Sequence, residues 1–462
     1  MTRTRVLVYG VAVAGEAVMR ALVARHFDVI AADDDVTPHK QTVCDELGIA
    51  LHVAPSAATI EHLVSSVDFV APAPGVAESH TVVLAAMAAA KPLRTEIDLA
   101  AEWEQSRPGG PRPILAITGT DGKTTTTLLA TEMLRAAGLA AVAVGNTETP
   151  LIAVIDDDTI EAFVVECTSF RLSWTTCFRP DAAVWLNLAP DHLNWHADLA
   201  GYEAAKARIW MYQRPTDVAI GFIDDPAVMA QLVRAPARHI TFGLSAADYR
   251  CSSLPGVGGM LIGPSGPICA VSEMRRSLPH DITNALGAAA LVSESGLADN
   301  AAIVTALRRF VGPAHRLELV GEGNGVRWFD DSKATTPHAA ITAIRAFDSL
   351  VLIAGGRNKD LDLTELGSEP HRMRAVVAIG EAADVIAGIF DDICPVRRAS
   401  SMAEAVSAAS DLAIAGDAVV LSPACASFDW YPQGPNGGYP ARGRDFHDRV
   451  LDHLASQAKA AS

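Results

Sequence analysis

Between the apolar run Ile114–Thr118 and a helix-like run, the chain carries Gly119, Thr120, Asp121, Gly122 and Lys123, followed by four threonines beginning at Thr124. Glycines let the backbone approach a ligand closely. The first N–H groups of a helix lack internal partners, and a lysine adds a point charge. That set of features holds phosphate groups, and the hydroxyl of Thr124 or Thr125 suits a nucleotide-bound Mg²⁺. The standard phosphate loop has a glycine at the position of Ile117, so this is a short form, G-T-D-G-K-T. The plainer reading, a glycine-rich turn with an exposed lysine, leaves the register of Lys123 and Thr124 unexplained. Three further residues could do metal chemistry. Glu166 ends the apolar run "AFVVE", and strand carboxyl ends face the ligand crevice of an α/β sheet. On position alone it could instead be a first-turn helix charge. His192 follows "AAVWLNL" and the turn "APDH"; taken singly it reads as a hydrogen-bonded loop residue. Lys206 lies in the helical stretch "YEAAKARIW", where a lysine ordinarily solvates a surface face.

These residues need a scaffold. The apolar runs "VLVYG", "DFVAPAPG", "ILAITG", "AFVVE", "AAVWLNL", "LVLIAGG", "AVVAIG" and "AVVLSP" alternate with helix-like segments. Continuous apolar runs of this length are the mark of buried parallel strands, and their alternation with helices predicts an α/β fold. A chain of 462 residues exceeds one hydrophobic core, and a prior of ~150 residues per domain gives about three. "SRPGGPRP" (106–113) and "FVGPAHRLE" (310–318) read as linkers, so the expected domains are 1–111, 112–312 and 313–462. The first opens with "VLVYGVAVAGEAV", a strand, Gly10, Gly15 and a helix, as in a dinucleotide fold. Ala12 replaces the middle glycine of that fingerprint.

Composition narrows the partners. The formal net charge of -17 leaves no basic excess for nucleic acid. Phosphates must therefore be held by local cations and backbone N–H groups. The start "MTRTRVLVYG" lacks the apolar stretch of a signal peptide, and alanine-rich segments such as "HTVVLAAMAAAK" are too short to span a bilayer. Seven cysteines without a CxxC pair indicate neither a zinc site nor a disulfide framework. The expectation is a cytoplasmic, monomeric protein without membrane insertion.

"TGTDGKTTT" resembles the ATP loop of the Mur ligase family, which joins amino acids to a nucleotide-linked muramic acid. "ECTSFRL" (166–172), "NLAPDHLNWH" (187–196), "YEAAKARIW" (202–210), "AHRLELV" (314–320), "DDSKATTPHA" (330–339) and "SPACASFD" (422–429) follow in the family's order. The last two are similar to the branch that adds D-glutamate to UDP-N-acetylmuramoyl-L-alanine. The resemblance covers essentially the whole chain. It implies a Rossmann-like UDP-binding domain, a central P-loop ATPase-type domain and a Rossmann-like C-terminal domain that binds the amino acid. It also implies ATP and two Mg²⁺ ions, and an acyl phosphate that the incoming amine captures. Gly119 to Thr125, with Lys123 at the centre, would bind ATP together with Asn284, Arg316 and Asp331. Thr124, Glu166, His192 and a carbamylated Lys206 would hold the metal ions. Gly10, Asp33 and Gly75 would contact the UDP half, and Asn146 and Ser169 the remainder of that substrate. Lys333, Thr335, Lys359 and Ser427 would hold glutamate, whose two carboxylates need cationic and hydroxyl donors. Closure of the domains around the acyl phosphate is expected, because water would otherwise hydrolyse it.

The chain departs from common family forms in several places. "GNTETP" (145–150) puts Glu148 near Asn146, Arg171 stands where Gln is frequent, and Arg357 where an acidic residue often lies. The segment between Asp429 and Arg442 is long. These departures bear on the amino-acid pocket, leaving L-glutamate or another acid open. A folate-polyglutamylating ligase shares the ATP loop and is the alternative within the same plan. A nucleotide-binding oxidoreductase or a non-catalytic sensor built on the first domain is the alternative from another class. Ala12 and the set Glu166, His192 and Lys206 argue against it. His80 and His196 receive no role.

Overall fold

A computed structural model describes residues 3–146, 149–192, 195–254, 258–432, 434 and 437–460. They form two compact units, Met1–Ser277 with Asp281–Phe310, and Leu278–His280 with Val311–Ser462. The fold is α/β throughout. The linker read at 106–113 joins two sheets inside the first unit, and the one read at 310–318 begins where that unit ends. Among the described residues no helix is long and apolar enough to cross a membrane.

The first sheet has four parallel strands. Arg5–Tyr9 lies between Asp28–Asp33 and Phe69–Pro72, and Leu51–Val53 completes the edge. The turn after Arg5–Tyr9 explains its two glycines. Gly10 has φ +92°, and a Cβ on Gly15 would fall 1.8 Å from the Gly10 carbonyl oxygen. The backbone passes too close there for any side chain.

The second sheet of this unit has nine strands. Ile114–Thr118, buried at every residue, runs parallel between Ala162–Glu166 and Ala182–Trp185. The chain first moves outward on one side of this strand and later crosses to the other. The crevice at such a reversal is where open α/β sheets bind ligands. The phosphate-loop residues, Glu166 and the segment leading to His192 all leave this edge. Tyr249–Leu254, Gly258–Gly263 and Gly266–Ala270 extend the sheet with antiparallel pairing.

One hydrophobic cluster runs through both sheets, from Val6, Val8 and Phe69 to Ile114, Phe163 and Phe178. Buried polar contacts pin the same junction. Asp98 accepts hydrogen bonds from the Thr176 and Cys177 N–H groups and from the Thr176 hydroxyl at 2.6 Å. Arg171, 6% exposed, pairs with Glu96, 3% exposed. Glu96 also accepts from the Ile152 N–H at 3.2 Å. Arg171 is thus a fastener between the first two sheets, which corrects the expectation that it bears on the amino-acid pocket. A buried carboxylate requires a partner, and the segment after the second sheet's strand Ala162–Glu166 supplies it here.

The second unit has a six-stranded sheet. Val326–Asp330 pairs antiparallel with Glu318–Gly323 and parallel with Ala418–Ala424, whose other neighbour is Leu350–Gly355. The C-terminal helix Gly438–Ala460 contributes Phe446 and Val450 to the core around Trp328.

Arg171→Ala strands the Glu96 carboxylate in the interior, and its expected cost is roughly 3 kcal/mol of first-unit stability. Urea unfolding against the parent checks this. A loss below about 0.5 kcal/mol, the level of an ordinary surface substitution, would mean the pair does not fasten the sheets.

Candidate functional site

The phosphate loop closes between Thr118 and the helix Lys123–Ala136. Gly122 caps that helix with φ +80°, and a Cβ there would lie 2.3 Å from Asn284 Oδ1. Only glycine lets the loop and Asn284 meet. Asn187, at the end of the neighbouring strand, organises the loop. Its Oδ1 accepts from the Thr120 and Asp121 N–H groups, both at 2.9 Å, and its amide donates to the Asp121 carbonyl at 3.3 Å. The Thr120 hydroxyl accepts from the Ala189 N–H at 2.9 Å and lies 3.2 Å from the Tyr202 hydroxyl. Neither Asn187 nor Tyr202 was singled out in sequence, although both lie inside quoted motifs.

Two lysines converge on this loop. Lys123 Nζ donates to the Gly119 carbonyl at 2.9 Å and to the Thr120 carbonyl at 2.7 Å. Lys206 Nζ donates to the same Gly119 carbonyl at 2.6 Å. Lys206 is 1% exposed, so the surface role expected of a helical lysine does not hold. Burial, and next the Lys123 charge, hold its amine well below the usual lysine range.

Glu166 is also buried at its strand end. Its Oε1 accepts from Asn146 Nδ2 at 3.1 Å, and its Oε2 has no partner among the described residues. His192 has φ +55°, places Nε2 3.2 Å from Asp191 and meets the Phe170 ring edge-on at 4.7 Å. Burial lowers its pKa, with Lys123 and Lys206 adding to the effect and Asp191 opposing it. A carboxylate oxygen without a partner, and an imidazole and an amine that their surroundings bias toward the neutral form, are donors a divalent cation can take, with the Thr124 hydroxyl beside Lys123.

Ser169 begins the short helix after Glu166. Its hydroxyl lies 2.8 Å from His196 Nε2, and His196 Nδ1 lies 3.3 Å from Glu78 of the first domain. Burial pushes the His196 pKa down to about 4. His80 caps the helix Thr81–Ala88 and contacts Asp34. Asp33 accepts from the Val11 N–H at 2.6 Å and pairs with Lys40 at 3.0 Å, so the Gly10 turn already uses its carboxylate. Gly75 is exposed on the loop after Phe69–Pro72. Thr147 and Glu148, including the expected Glu148 charge, lie outside the described residues.

The second unit gathers the other candidates at the carboxyl end of Val326–Asp330 and its neighbours. Asp331 accepts from the Leu317 N–H at 3.2 Å and the Ser422 hydroxyl at 2.7 Å. Burial pushes its carboxyl up to about 7, with Ser422, Leu317 and the Arg316 charge acting against it. The Lys333 ammonium lies 5.4 Å from the Tyr439 ring centre, and Lys359 Nζ is 3.4 Å from Thr335 Oγ1. Ser427 is buried, and its carbonyl accepts from the Trp430 and Tyr431 N–H groups. Gln433, Pro435 and Asn436 of the long segment lie outside the described residues. Arg357 pairs with Glu381 on the surface at 2.7 Å. Arg442, 1% exposed, donates to the Ser332 hydroxyl and carbonyl and to the Cys425 carbonyl, joining the loops that carry Lys333 and Ser427.

A family model described as the Mur ligase middle domain matches residues 117–292, and one described as the Mur ligase glutamate ligase domain matches 315–425. The chain belongs to the Mur ligase family. As a Mur ligase it forms an amide bond at the expense of ATP in peptidoglycan precursor synthesis. It is 41% identical over 447 residues to the UDP-N-acetylmuramoylalanine--D-glutamate ligase of Frankia casuarinae, covering 95% of this chain and 92% of that protein. The protein of the same name from Pelotomaculum thermopropionicum is 36% identical, covering 97% and 98%. Within the family the resemblance therefore runs to this branch. Solved Mur ligases share the fold. The MurF ligase of Thermotoga maritima in complex with ADP has a TM-score of 0.57 at 16% identity, covering 100% of this chain and 96% of that one. MurC from Thermotoga maritima has a TM-score of 0.57 at 17% identity, covering 98% and 100%.

Two outcomes follow from this geometry. Asp331 has a folded-state pKa above its ordinary 3.8, so the folded unit holds that proton more tightly than the unfolded chain. Its contribution is whole below about pH 4 and is lost as pH rises to about 7, at most about 4 kcal/mol. Asp331→Asn should therefore match the parent near pH 4 and exceed it near pH 8 in denaturant unfolding. Asn187→Ala should raise the KM for ATP by on the order of tenfold, as loss of a supporting hydrogen-bond partner does. An unchanged KM would show that the loop keeps its shape without Asn187.

Proposed function

We propose that this Mur ligase joins D-glutamate to UDP-N-acetylmuramoyl-L-alanine, releasing ADP and phosphate. The observation that carries the reading is the open Glu166 oxygen, together with the buried Lys206 amine, held below the usual lysine range and hydrogen-bonded to the phosphate loop. The names of the relatives supply the substrates.

In this reading the acceptor carboxylate attacks the γ-phosphorus of ATP and ADP leaves, giving an acyl phosphate. The glutamate amine then attacks the acyl carbon, the carbon–oxygen bond to phosphate breaks, and the amine proton passes to solvent or a nearby base. Lys123 and Gly119 to Thr125 cradle the phosphates, Asn284 braces the loop, and Arg316 and Asp331 contact the nucleotide. Gly10, Asp33 and Gly75 hold the UDP half, with Asn146 and Ser169 on the remainder. Lys333, Thr335, Lys359 and Ser427 take the glutamate carboxylates. Thr124, Glu166, His192 and Lys206 as a carbamate would hold Mg²⁺, which would supply positive charge to the transferring phosphoryl group. The carbamate requires a neutral amine: Lys206 nitrogen bonds to CO₂ carbon and releases one proton. Burial of Lys206 beside Lys123 favours that amine.

Protein mixed with ATP, Mg²⁺ and UDP-N-acetylmuramoyl-L-alanine should release ADP and form a UDP-peptide with D-glutamate and not with L-glutamate. Product with folate in place of the UDP substrate would overturn the reading. Lys206→Ala should be nearly inactive and partly restored by a small added carboxylic acid; full activity in Lys206→Arg would exclude the carbamate.

A further inference from the structure

The His196 ring is fully buried, and both of its nitrogens face polar groups from different parts of the chain. Nε2 meets the Ser169 hydroxyl at 2.8 Å. Nδ1 makes no hydrogen bond among the described residues, and the Glu78 carboxylate lies 3.3 Å from it, within ion-pair distance. Around it stand Phe170, stacked at 5.9 Å, Trp195 at 4.5 Å and Tyr202 at 5.3 Å, which keep the ring from turning out. The three residues are far apart in sequence. Glu78 lies on the loop after Phe69–Pro72 in the first sheet, three residues beyond Gly75. Ser169 lies three residues beyond Glu166 in the second sheet. His196 therefore bridges the loop proposed for the nucleotide half of the substrate and the loop proposed for the transfer chemistry.

A neutral imidazole carries one N–H, so its two contacts are not independent. When Nδ1–H points at the Glu78 carboxylate, Nε2 can only accept, and the Ser169 hydroxyl must donate to it. The serine oxygen is then left with lone pairs alone for anything else it meets. We propose that His196 is a positioning residue: braced by Glu78, it takes the Ser169 hydrogen and presents Ser169 Oγ as an acceptor to an N–H group of the sugar-nucleotide substrate. The same arrangement found in serine hydrolases, carboxylate to imidazole to hydroxyl, here orients a hydroxyl for binding. This rests on the ligase reading for the identity of the substrate, though not for the state of the ring.

The ¹⁵N signals of the His196 ring, taken from the full chain labelled at histidine, decide the hydrogen placement. The parent should carry Nδ1–H. Glu78→Leu, at a side chain that is partly exposed, removes the acceptor, and the hydrogen should move to Nε2 to serve the Ser169 oxygen. Ser169→Ala should retain Nδ1–H. In turnover, Glu78→Leu and Ser169→Ala should each raise the KM for UDP-N-acetylmuramoyl-L-alanine by on the order of tenfold with the KM for ATP unchanged. The double variant should be no worse than the poorer single one. Nε2–H in the parent, no change in Glu78→Leu, or effects that simply multiply would overturn the proposal. A parent without ligase turnover would sink the ligase reading alone, because the ring signals still report whether Glu78 sets the hydrogen.

Discussion

One carbonyl oxygen, that of Gly119, accepts from two lysines. Two ammonium groups within the ~5 Å that a shared acceptor allows repel by about 3 kcal/mol at an effective dielectric of about 20, and burial of one raises the cost. Both effects favour the uncharged form of the more buried lysine. That is Lys206, enclosed by its helix and by the Tyr202 ring, while Lys123 is only partly buried. An amine biased toward its neutral form, an uncommitted carboxylate oxygen and an imidazole held below its usual pKa range then share one crevice. The chemistry of the site follows from this electrostatic sorting more than from any single residue.

The scaffold makes the sorting possible. Ile114–Thr118 sits at the reversal of the nine-stranded sheet, so the segments after three adjacent strands open on the same edge. Asn187 ties one of those segments to the phosphate loop, and Tyr202 ties the Lys206 helix to it. The first sheet is locked to this assembly by Arg171 and Glu96, by Asp98, and by apolar packing shared between the sheets. It behaves with the central sheet as one unit, whereas the sheet carrying Asp331 and Lys333 forms a unit of its own.

Much of this was legible in the sequence. Continuous apolar runs such as "AFVVE" became buried parallel strands, and the chemically competent residues stand at their carboxyl ends as the strand rule requires. Family resemblance ordered the rest. What stayed hidden has a common cause: it depends on contacts between segments distant in the chain. The helical stretch around Lys206 reads as a surface helix because nothing local reveals the loop packed over it. Arg171 looked like a change in a ligand pocket because its partner, Glu96, opens a helix far away in the sequence. Glu78, His196 and Ser169 carry no spacing pattern at all. The antiparallel strands of 249–270 are short and glycine-rich, with too little alternation to announce themselves.

Arg442 sets an order on synthesis. The loops bearing Lys333 and Ser427 are joined through its guanidinium, which arrives with the last helix of the chain. Until Arg442 has left the ribosome, the Ser332 and Cys425 carbonyls lack this donor, and the two loops are held by their own contacts, the Ala424 N–H on the Ala334 carbonyl and the Ser422 hydroxyl on Asp331. The loops proposed to present the amine therefore gain their shared clamp only after both have been made, later in synthesis than the phosphate loop and its neighbours.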